Sequence, residues 1–284
     1  MAKGKGSSSR SRGLLSNPQV RAKALMNQAY THPDIDKAID LALQATQCWP
    51  DCAEALMFLA MYLPEDQYQA AGMCSQAFHA ASRAMGEVDL EQQAGKLWDD
   101  EAGRISIKAL SMLARSIVDL TLYEDAWQKF NLAILLDEND NLGNHYYSVA
   151  CAVACGDYES AMEILEEWDD PKDGLQNLGW LLANLHSGLR SEVELESVAI
   201  LQASHSNLLQ WMVDPLSVKD SFHLEYCDGD VEEVENVLGL YSQVFWLKPD
   251  SVEWLIEAAG LEPRREYGPF DLEDSEEVAD IPQA

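Results

Sequence analysis

The feature that most constrains this chain is a repeated pair of amphipathic helical segments with a period of 34 residues. It is clearest in residues 107–174, where apolar residues recur at helical spacing and short polar turns such as Gly156-Asp157 interrupt them. Such a pair buries its apolar faces only against neighbouring pairs, so the repeat predicts a stack of helices. Four units align when they begin at Gln19, Ala53, Ile107 and Asn141.

Two columns of this alignment carry the packing signal. Large side chains fill one column, and mostly small ones fill the next. The large column holds Leu25, Leu59, Leu113 and Tyr147, and the small column holds Met26, Ala60, Ala114 and Ser148. A small residue beside a large one is what two crossing helices need for close packing. Alanine also recurs in the second helices, at Ala38 and Ala126 and again seven residues later at Ala45 and Ala133.

The same patterns predict the organisation of the whole chain. We expect residues 17–260 to form one all-α domain, a right-handed stack of antiparallel helix pairs (an α-solenoid), with an irregular insertion near residues 86–104. Residues 1–16 are basic and of low complexity, and residues 261–284 are rich in acid and proline. Both ends have little to bury, so we expect them to be disordered.

The net charge and the cysteine content limit which partners and which cellular compartment the protein can have. The net charge is -30, although residues 1–23 contain six basic and no acidic side chains. An acidic body repels phosphate backbones and favours basic partners, while simple solubility is the alternative explanation. Six scattered cysteines do not form a disulfide framework of the secreted type, and neither a signal peptide nor an apolar membrane span is recognisable. We therefore expect a cytoplasmic protein that does not contact membranes or nucleic acid directly.

The period and layout resemble those of tetratricopeptide repeats. Three blocks, DIDKAIDLALQATQCWPDCAEALMFLA, LYEDAWQKFNLAILLDENDNLGNHYYSVACAVACGDYESAMEIL and VFWLKPDSVEWL, look like the tetratricopeptide-type bacterial relatives of the suppression of tumorigenicity 7 family. The resemblance spans residues 20–260, and its most specific piece is the junction LDENDNLGNHYY. Members of that family are helical-repeat proteins without a catalytic motif, so the resemblance implies an architecture and no reaction.

The resemblance also implies which side chains face a ligand, because the first helix of each tetratricopeptide unit lines the concave side. The predicted partner-binding residues are Lys23, Asn27, Glu54, Met57, Met61, Lys108, Ser111, Arg115, His145 and Val149. Lys23, Asn27 and Lys108 resemble part of a clamp that donates to the terminal carboxylate of a peptide. Phe58 and Met112 occupy the positions of its further donors, and solvated lysines are the alternative.

Motifs for catalysis or cofactor binding are missing from the sequence. There is no phosphate-binding glycine loop, and none of the six histidines lies in a recognised nucleophile turn. Two CxxxC pairs, Cys48 with Cys52 and Cys151 with Cys155, have a spacing that suits a metal, but packing as small apolar residues is the simpler interpretation. The acidic loop after Leu136 lacks calcium-loop spacing, so we expect it to cap the next helix. The prediction is a non-enzyme without cofactor or metal.

We therefore predict a protein–protein interaction adaptor, scaffold or assembly factor that binds a segment of a partner through the concave face. The alternative is an acidic decoy that blocks a basic, nucleic-acid-binding surface of its partner. A decoy should release its partner as salt rises, whereas an apolar groove should not. Five tryptophans are a further lead, although most are expected in cores or end caps: Trp98, Trp168, Trp211, Trp246 and Trp254.

Overall fold

The computed structural model describes residues 17–87, 92–168, 170, 173–188, 192–204, 206–213 and 231–261. Within these ranges the protein is all-helical, as predicted: it has thirteen α-helices, one short 3-10 helix and no strand. The chain divides into two compact units, with the boundary after Asp169. The predicted basic leader (1–16) lies outside the described residues, as does the predicted acidic tail (261–284) except for its first residue, Leu261.

The first unit contains eight consecutive helices. They are α1 (Pro18–Tyr30), α2 (Ile35–Cys48), α3 (Ala53–Tyr62), α4 (Gln67–Met85), α5 (Glu101–Val118), α6 (Tyr123–Leu136), α7 (Asn144–Cys155) and α8 (Tyr158–Glu167). Each helix packs against the next one in the chain, and α5 also packs against α3 and α7. The contacts between alternate helices bring the first helices of successive pairs side by side, which is the arrangement that a helical repeat requires.

Alanine sets the close approach of the helices, as the sequence predicted. Ala38, Ala42 and Ala45 of α2 are buried against Met26 of α1 in a core that also contains Phe58. Both alignment columns lie inside the unit, apart from Leu25, which is half-buried. The helices α2 and α3 end directly before the Trp49-Pro50 and Leu63-Pro64 steps, since a residue that precedes proline disfavours the helical conformation.

The segment between α4 and α5 is irregular. It ends at residue 100, because α5 begins at Glu101, inside the insertion predicted near residues 86–104. The helix α4 ends at Met85 and is capped by Gly86, which has a positive φ of 82°, and a 3-10 turn follows at Leu97–Asp99. The helix α5 then begins at Glu101, because the side chain of Asp100 accepts hydrogen bonds from the amides of Ala102 and Gly103. Residues 88–91 lie outside the described part of the chain.

The second unit contains α9 (Gly174–Ser187), α10 (Glu192–Ser204), α11 (Ser206–Val213), α12 (Val231–Phe245) and α13 (Pro249–Ala259). Its packing is less linear, because α9 contacts α10, α11 and α12. The segment VELESVAILQASHSNLLQWMV predicts one helix, where the structure has α10 and α11. The amphipathic patterns near Val231 to Trp246 and Ser251 to Ala259 predict two final helices, close to the observed α12 and α13. The segment DPLSVKDSF between α11 and α12 predicts a loop and lies outside the described residues. In the described ranges, no helix combines the length and the apolar character that crossing a bilayer demands.

Candidate functional site: a cleft and a tyrosine patch on the first helices

The ten predicted partner-binding residues fall into three classes of exposure. Four are exposed, namely Lys23, Asn27, Met61 and Lys108, and three are half-buried, namely Glu54, Met57 and Arg115. The remaining three, Ser111, His145 and Val149, are buried inside the first unit. Buried side chains offer no surface to a partner in this conformation, so only the exposed and half-buried residues can form a contact face.

Lys23 and Glu54 lie together in a cleft that α1, α3, α4 and α5 enclose. Its volume is about 270 Å³. We call it the α1–α5 cleft, and its lining residues are Gln19, Lys23, Trp49, Asp51, Cys52, Ala53, Glu54, Ala81, Ala84, Glu101, Ala102 and Ile105. Four alanines line it, so the backbone of an extended segment has space to approach the helices. The size is near the lower end of ordinary ligand pockets.

Charged side chains at the cleft are mostly acidic. Lys23 forms an ion pair with Glu101, which joins α1 to the start of α5. The hydrogen bond and charge of Glu101 raise the pKa of Lys23, and those of Lys23 lower the pKa of Glu101. Asp51 is paired with Arg83 of α4 at 2.7 Å. Glu54, in contrast, forms no ion pair within the described part of the chain and is half-buried on the wall of the cleft, where it can attract a cation.

The clamp for a terminal carboxylate is not assembled. The ammonium of Lys23 pairs with the internal carboxylate of Glu101. The ammonium of Lys108 lies over the ring of Trp98, 5.9 Å from its centroid, where the ring quadrupole attracts it. Both lysines thus already have partners within the protein, and the cleft favours a cationic ligand over an anionic one.

Next to the cleft is an aromatic cluster, which we call the tyrosine patch: the exposed side chains of Tyr30, Met61 and Tyr62 around the buried Phe58. Phe58 packs edge-to-face with Tyr30, with ring centroids 5.8 Å apart, and at a tilt of 47° against Tyr62, with centroids 4.9 Å apart. Tyr30, Met61 and Tyr62 are 54%, 58% and 47% exposed, and large apolar side chains that stay exposed next to one another mark a candidate contact surface. Burial of its hydroxyl, followed by the charge of Glu54, raises the pKa of Tyr30 to about 12. Glu54 therefore connects the patch with the cleft.

Ser111, Arg115 and His145 belong instead to a polar network between α5 and α7. The hydroxyl of Ser111 donates to Asn144 at 2.6 Å, and the Asn144 amide donates to Asp140 at 2.9 Å. Asp140 also accepts from the backbone and the ring of His145, at 2.7 and 2.8 Å. Burial by itself would raise the pKa of Asp140, but these bonds and the charge of His145 outweigh it and lower the pKa.

This network confirms that Asp140 caps the following helix, as the sequence predicted. It also fixes the junction LDENDNLGNHYY, where Asp137 accepts two hydrogen bonds from Asn141 at 2.8 Å. The guanidinium of Arg115 donates to the carbonyl of Leu142 and stacks on Tyr147. The most specific piece of the sequence resemblance is thus a structural joint between two helix pairs.

Burial governs the chemistry of the cysteines in the described residues. Burial raises the pKa of the Cys52, Cys74 and Cys151 thiols, which keeps them protonated and unreactive. Within the described ranges, no group of three or more histidine, cysteine or acidic side chains is placed to hold a metal ion. The described cysteines are free thiols, and Cys151 packs as a small apolar residue in α7.

The sequence pointed to tryptophans as candidate exposed aromatic residues, whereas the exposed aromatic side chains of the patch are tyrosines. Trp98, Trp168, Trp246 and Trp254 are all half-buried, and the side chain of Trp211 lies outside the described set. The signal of the patch was present in the run of Phe58, Met61 and Tyr62, which extends the apolar surface of α3 beyond one stripe.

No protein-family model matches the chain, and no curated protein or solved structure is detectably similar to it. The fold and its surfaces define an all-helical protein of consecutively packed helices, and the assignment to a family remains a prediction.

Proposed function

We propose that this protein is a non-catalytic adaptor or scaffold that binds a segment of a partner protein along the α1–α5 cleft and the tyrosine patch. In this proposal the first unit is a right-handed stack of tetratricopeptide-like pairs, as in the resembling suppression of tumorigenicity 7 relatives. The first helices of the pairs then form its concave face. The protein acts in the cytoplasm and needs neither a cofactor nor a metal.

The observation that carries the proposal is the continuity of the cleft and the patch at Glu54. Large apolar side chains that remain exposed beside a concave, alanine-lined cleft are typical of a protein-binding surface. Aromatic residues and methionine are also enriched where proteins bind each other. Met57 of α3, another predicted contact residue, is half-buried and packs against the alanine cluster that includes Ala53 and Ala81 of the cleft.

The surface suggests the chemistry of the bound segment. Its apolar side chains would cover Tyr30, Met61 and Tyr62, and a lysine or arginine would approach Glu54. An extended conformation suits the alanine-lined part of the cleft, because small residues allow the closest approach of a backbone. The apolar contacts should supply most of the affinity, since exposed ion pairs contribute little.

The test is affinity capture from a lysate of the source organism with the full-length protein and with Met61→Ser and Tyr62→Ser variants. Captures at ~50 mM and ~300 mM salt bracket a Debye length of about 10 Å. We expect one partner to be retained at both salt concentrations by the unchanged protein. Each variant should recover about tenfold less of it, because a side chain in the centre of an interface is worth more than 1 kcal/mol.

Leu122→Ser is the matched control, because Leu122 is 49% exposed in the same unit but belongs neither to the cleft nor to the patch. Capture should be unchanged in this variant. Equal losses in all three variants would mean that the patch is not the contact. A partner that every form releases at ~300 mM salt would favour the acidic decoy, and the absence of any partner would reopen the question of an enzyme.

A further inference from the structure

A second and larger cleft lies on the first unit, between the helices α6 and α8. Its volume is about 540 Å³. We call it the α6–α8 cleft, and it is lined by Ala94, Gly95, Trp127, Asn131, Ile134, Leu135, Glu138, Ser160, Glu163, Ile164, Glu167 and Trp168. None of these residues lines the α1–α5 cleft or belongs to the tyrosine patch. It is therefore a separate surface.

One wall of this cleft is held by backbone pairing. The amide of Gly95 donates to the carbonyl of Leu135 at 2.8 Å, and Lys96 forms an isolated antiparallel bridge with Asp137. Gly95 has a positive φ of 74°, and a Cβ there would meet Glu138 at about 3.1 to 3.2 Å. The irregular segment before α5 is thus fixed to the end of α6, and the wall is preformed.

Two tryptophans supply the apolar part of the cleft. The Nε1 atoms of Trp127 and Trp168 are both buried, so any exposed part of either indole presents carbon. Trp168 also stacks on His145, with ring centroids 4.8 Å apart and an interplanar angle of 10°. Because His145 is bound to the buried Asp140, the network at the α5–α7 junction supports this side of the cleft.

Charge determines what such a cleft can bind. Glu138, Glu163 and Glu167 are exposed at the cleft, and none of its lining residues is basic. A guanidinium or ammonium that stacks on an indole is attracted by the ring, and nearby carboxylates add to that attraction. A neutral apolar ligand would gain no attraction from the three carboxylates, and an anion would be repelled.

We propose that the α6–α8 cleft binds an extended, arginine- or lysine-bearing segment of a partner protein. The cationic side chain lies between the indole surface of Trp127 or Trp168 and the carboxylates of Glu163 and Glu167. Its methylene groups cover the apolar wall around Leu135, which is 55% exposed. This site is distinct from the surface of the proposed function and does not depend on it.

Binding can be measured by fluorescence anisotropy with a fluorescein-labelled hexapeptide of alternating alanine and arginine. The full-length protein is titrated at ~50 mM salt, and a second peptide carries neutral citrulline in place of arginine. We expect saturable binding of the arginine peptide alone. Glu163→Gln should weaken it by about fivefold, the upper range for an exposed ion pair.

One variant with the same change in net charge serves as the control. Glu166 is exposed on the same helix but does not line the cleft. Glu166→Gln changes the long-range field of the protein as much as Glu163→Gln does, so a contact that is local to Glu163 should leave the affinity of the Glu166→Gln protein within about 1.5-fold. A loss in Glu163→Gln that Glu166→Gln lacks supports the proposal, and Glu54→Gln reports on any peptide bound in the α1–α5 cleft instead.

Three results would overturn it. Equal losses in Glu163→Gln and Glu166→Gln would show attraction to the general acidic field. A loss in Glu54→Gln alone would place the peptide in the α1–α5 cleft, which would support the proposed function while removing this site. If exchanging Lys3, Lys5, Arg10 and Arg12 for glutamine raised the affinity about tenfold, the basic leader of the chain would be the occupant.

Discussion

At the scale of single residues, Gly103 shows how strongly one position depends on having no side chain. It lies in the first turn of α5, where a Cβ would stand 2.1 Å from the carbonyl oxygen of Leu97. That oxygen belongs to the backbone, so the 3-10 turn would have to move. We expect Gly103→Ala to lower the free energy of unfolding by about 3 kcal/mol, as overpacking commonly does. Urea denaturation followed by circular dichroism measures the change.

Gly72→Ala provides the opposite control. Gly72 is exposed within α4, and a Cβ there would meet nothing within 4 Å. Alanine should therefore stabilise the helix by about 0.5 to 1 kcal/mol, because it restricts the unfolded chain more than glycine does. If both substitutions raised the free energy of unfolding, the backbone of Leu97 could not lie as close to Gly103 as described.

At the scale of the helices, the sequence predicted the helix positions that depend on periodicity. It did not predict the features that depend on contacts between individual side chains. The alanine columns and the two X-Pro steps located α1 to α4 because small residues and helix stops act locally. The early start of α5 depends on the cap by Asp100, and the ion pair of Lys23 with Glu101 joins residues 78 positions apart. The tyrosine patch could be predicted only in part: the run of Phe58, Met61 and Tyr62 indicates a wide apolar surface, but whether those side chains stay exposed depends on the neighbouring helix.

The second unit contains a cap of the same long-range kind at the end of α9. The ammonium of Lys248 donates to the carbonyls of Leu185 and His186 at 3.0 and 2.8 Å. Both oxygens lie in the last turn of α9, where carbonyls have no partner inside the helix and a cation is favourable. We expect Lys248→Met to lower the stability of the second unit by about 2 kcal/mol, measured by chemical denaturation.

Lys37→Met is the matched control for this cap. Lys37 pairs with Asp34 at 3.0 Å on the surface of the first unit, and exposed pairs of this kind have little effect. It should change stability only slightly. A loss as large as that in Lys248→Met would indicate that charge alone, and not the cap, accounts for the effect.

At the scale of the whole molecule, the sequence predicted one continuous domain from residue 17 to residue 260, whereas the structure divides into two compact units. The repeat columns are visible from α1 to α8, and they weaken at α9, which is buried on most of its surface, including the polar Gln176 and His186. A helix that contacts three neighbours has no single packing direction, so the periodicity of its leucines does not identify all of those neighbours. Each unit has its own buried core, and the two should therefore respond separately to perturbation.

Acidification should lower the stability of the two units at different pH values, because the groups with shifted pKa values titrate in different pH ranges. Burial, aided by the charge of Lys248, lowers the pKa of His186 below its ordinary value of 6.5, although a hydrogen bond with Phe245 opposes the shift. The unfolded chain then binds a proton more readily, so stability present above pH 6.5 is lost as the pH falls toward the folded pKa. Asp140 has a pKa below its ordinary 3.8, so its contribution to the first unit persists until the pH falls below that range.

We therefore expect the second unit to lose stability between pH 7.5 and 5.5, while Asp140 contributes no loss in the first. Calorimetry at both pH values measures this, with Gly103→Ala and Lys248→Met identifying the transition of each unit. His186→Leu should remove most of the pH dependence of the second transition, because a leucine in that buried place cannot bind a proton. A single transition that all three substitutions shift together would show that the units unfold as one body, and an unchanged pH dependence in His186→Leu would assign the effect to other groups.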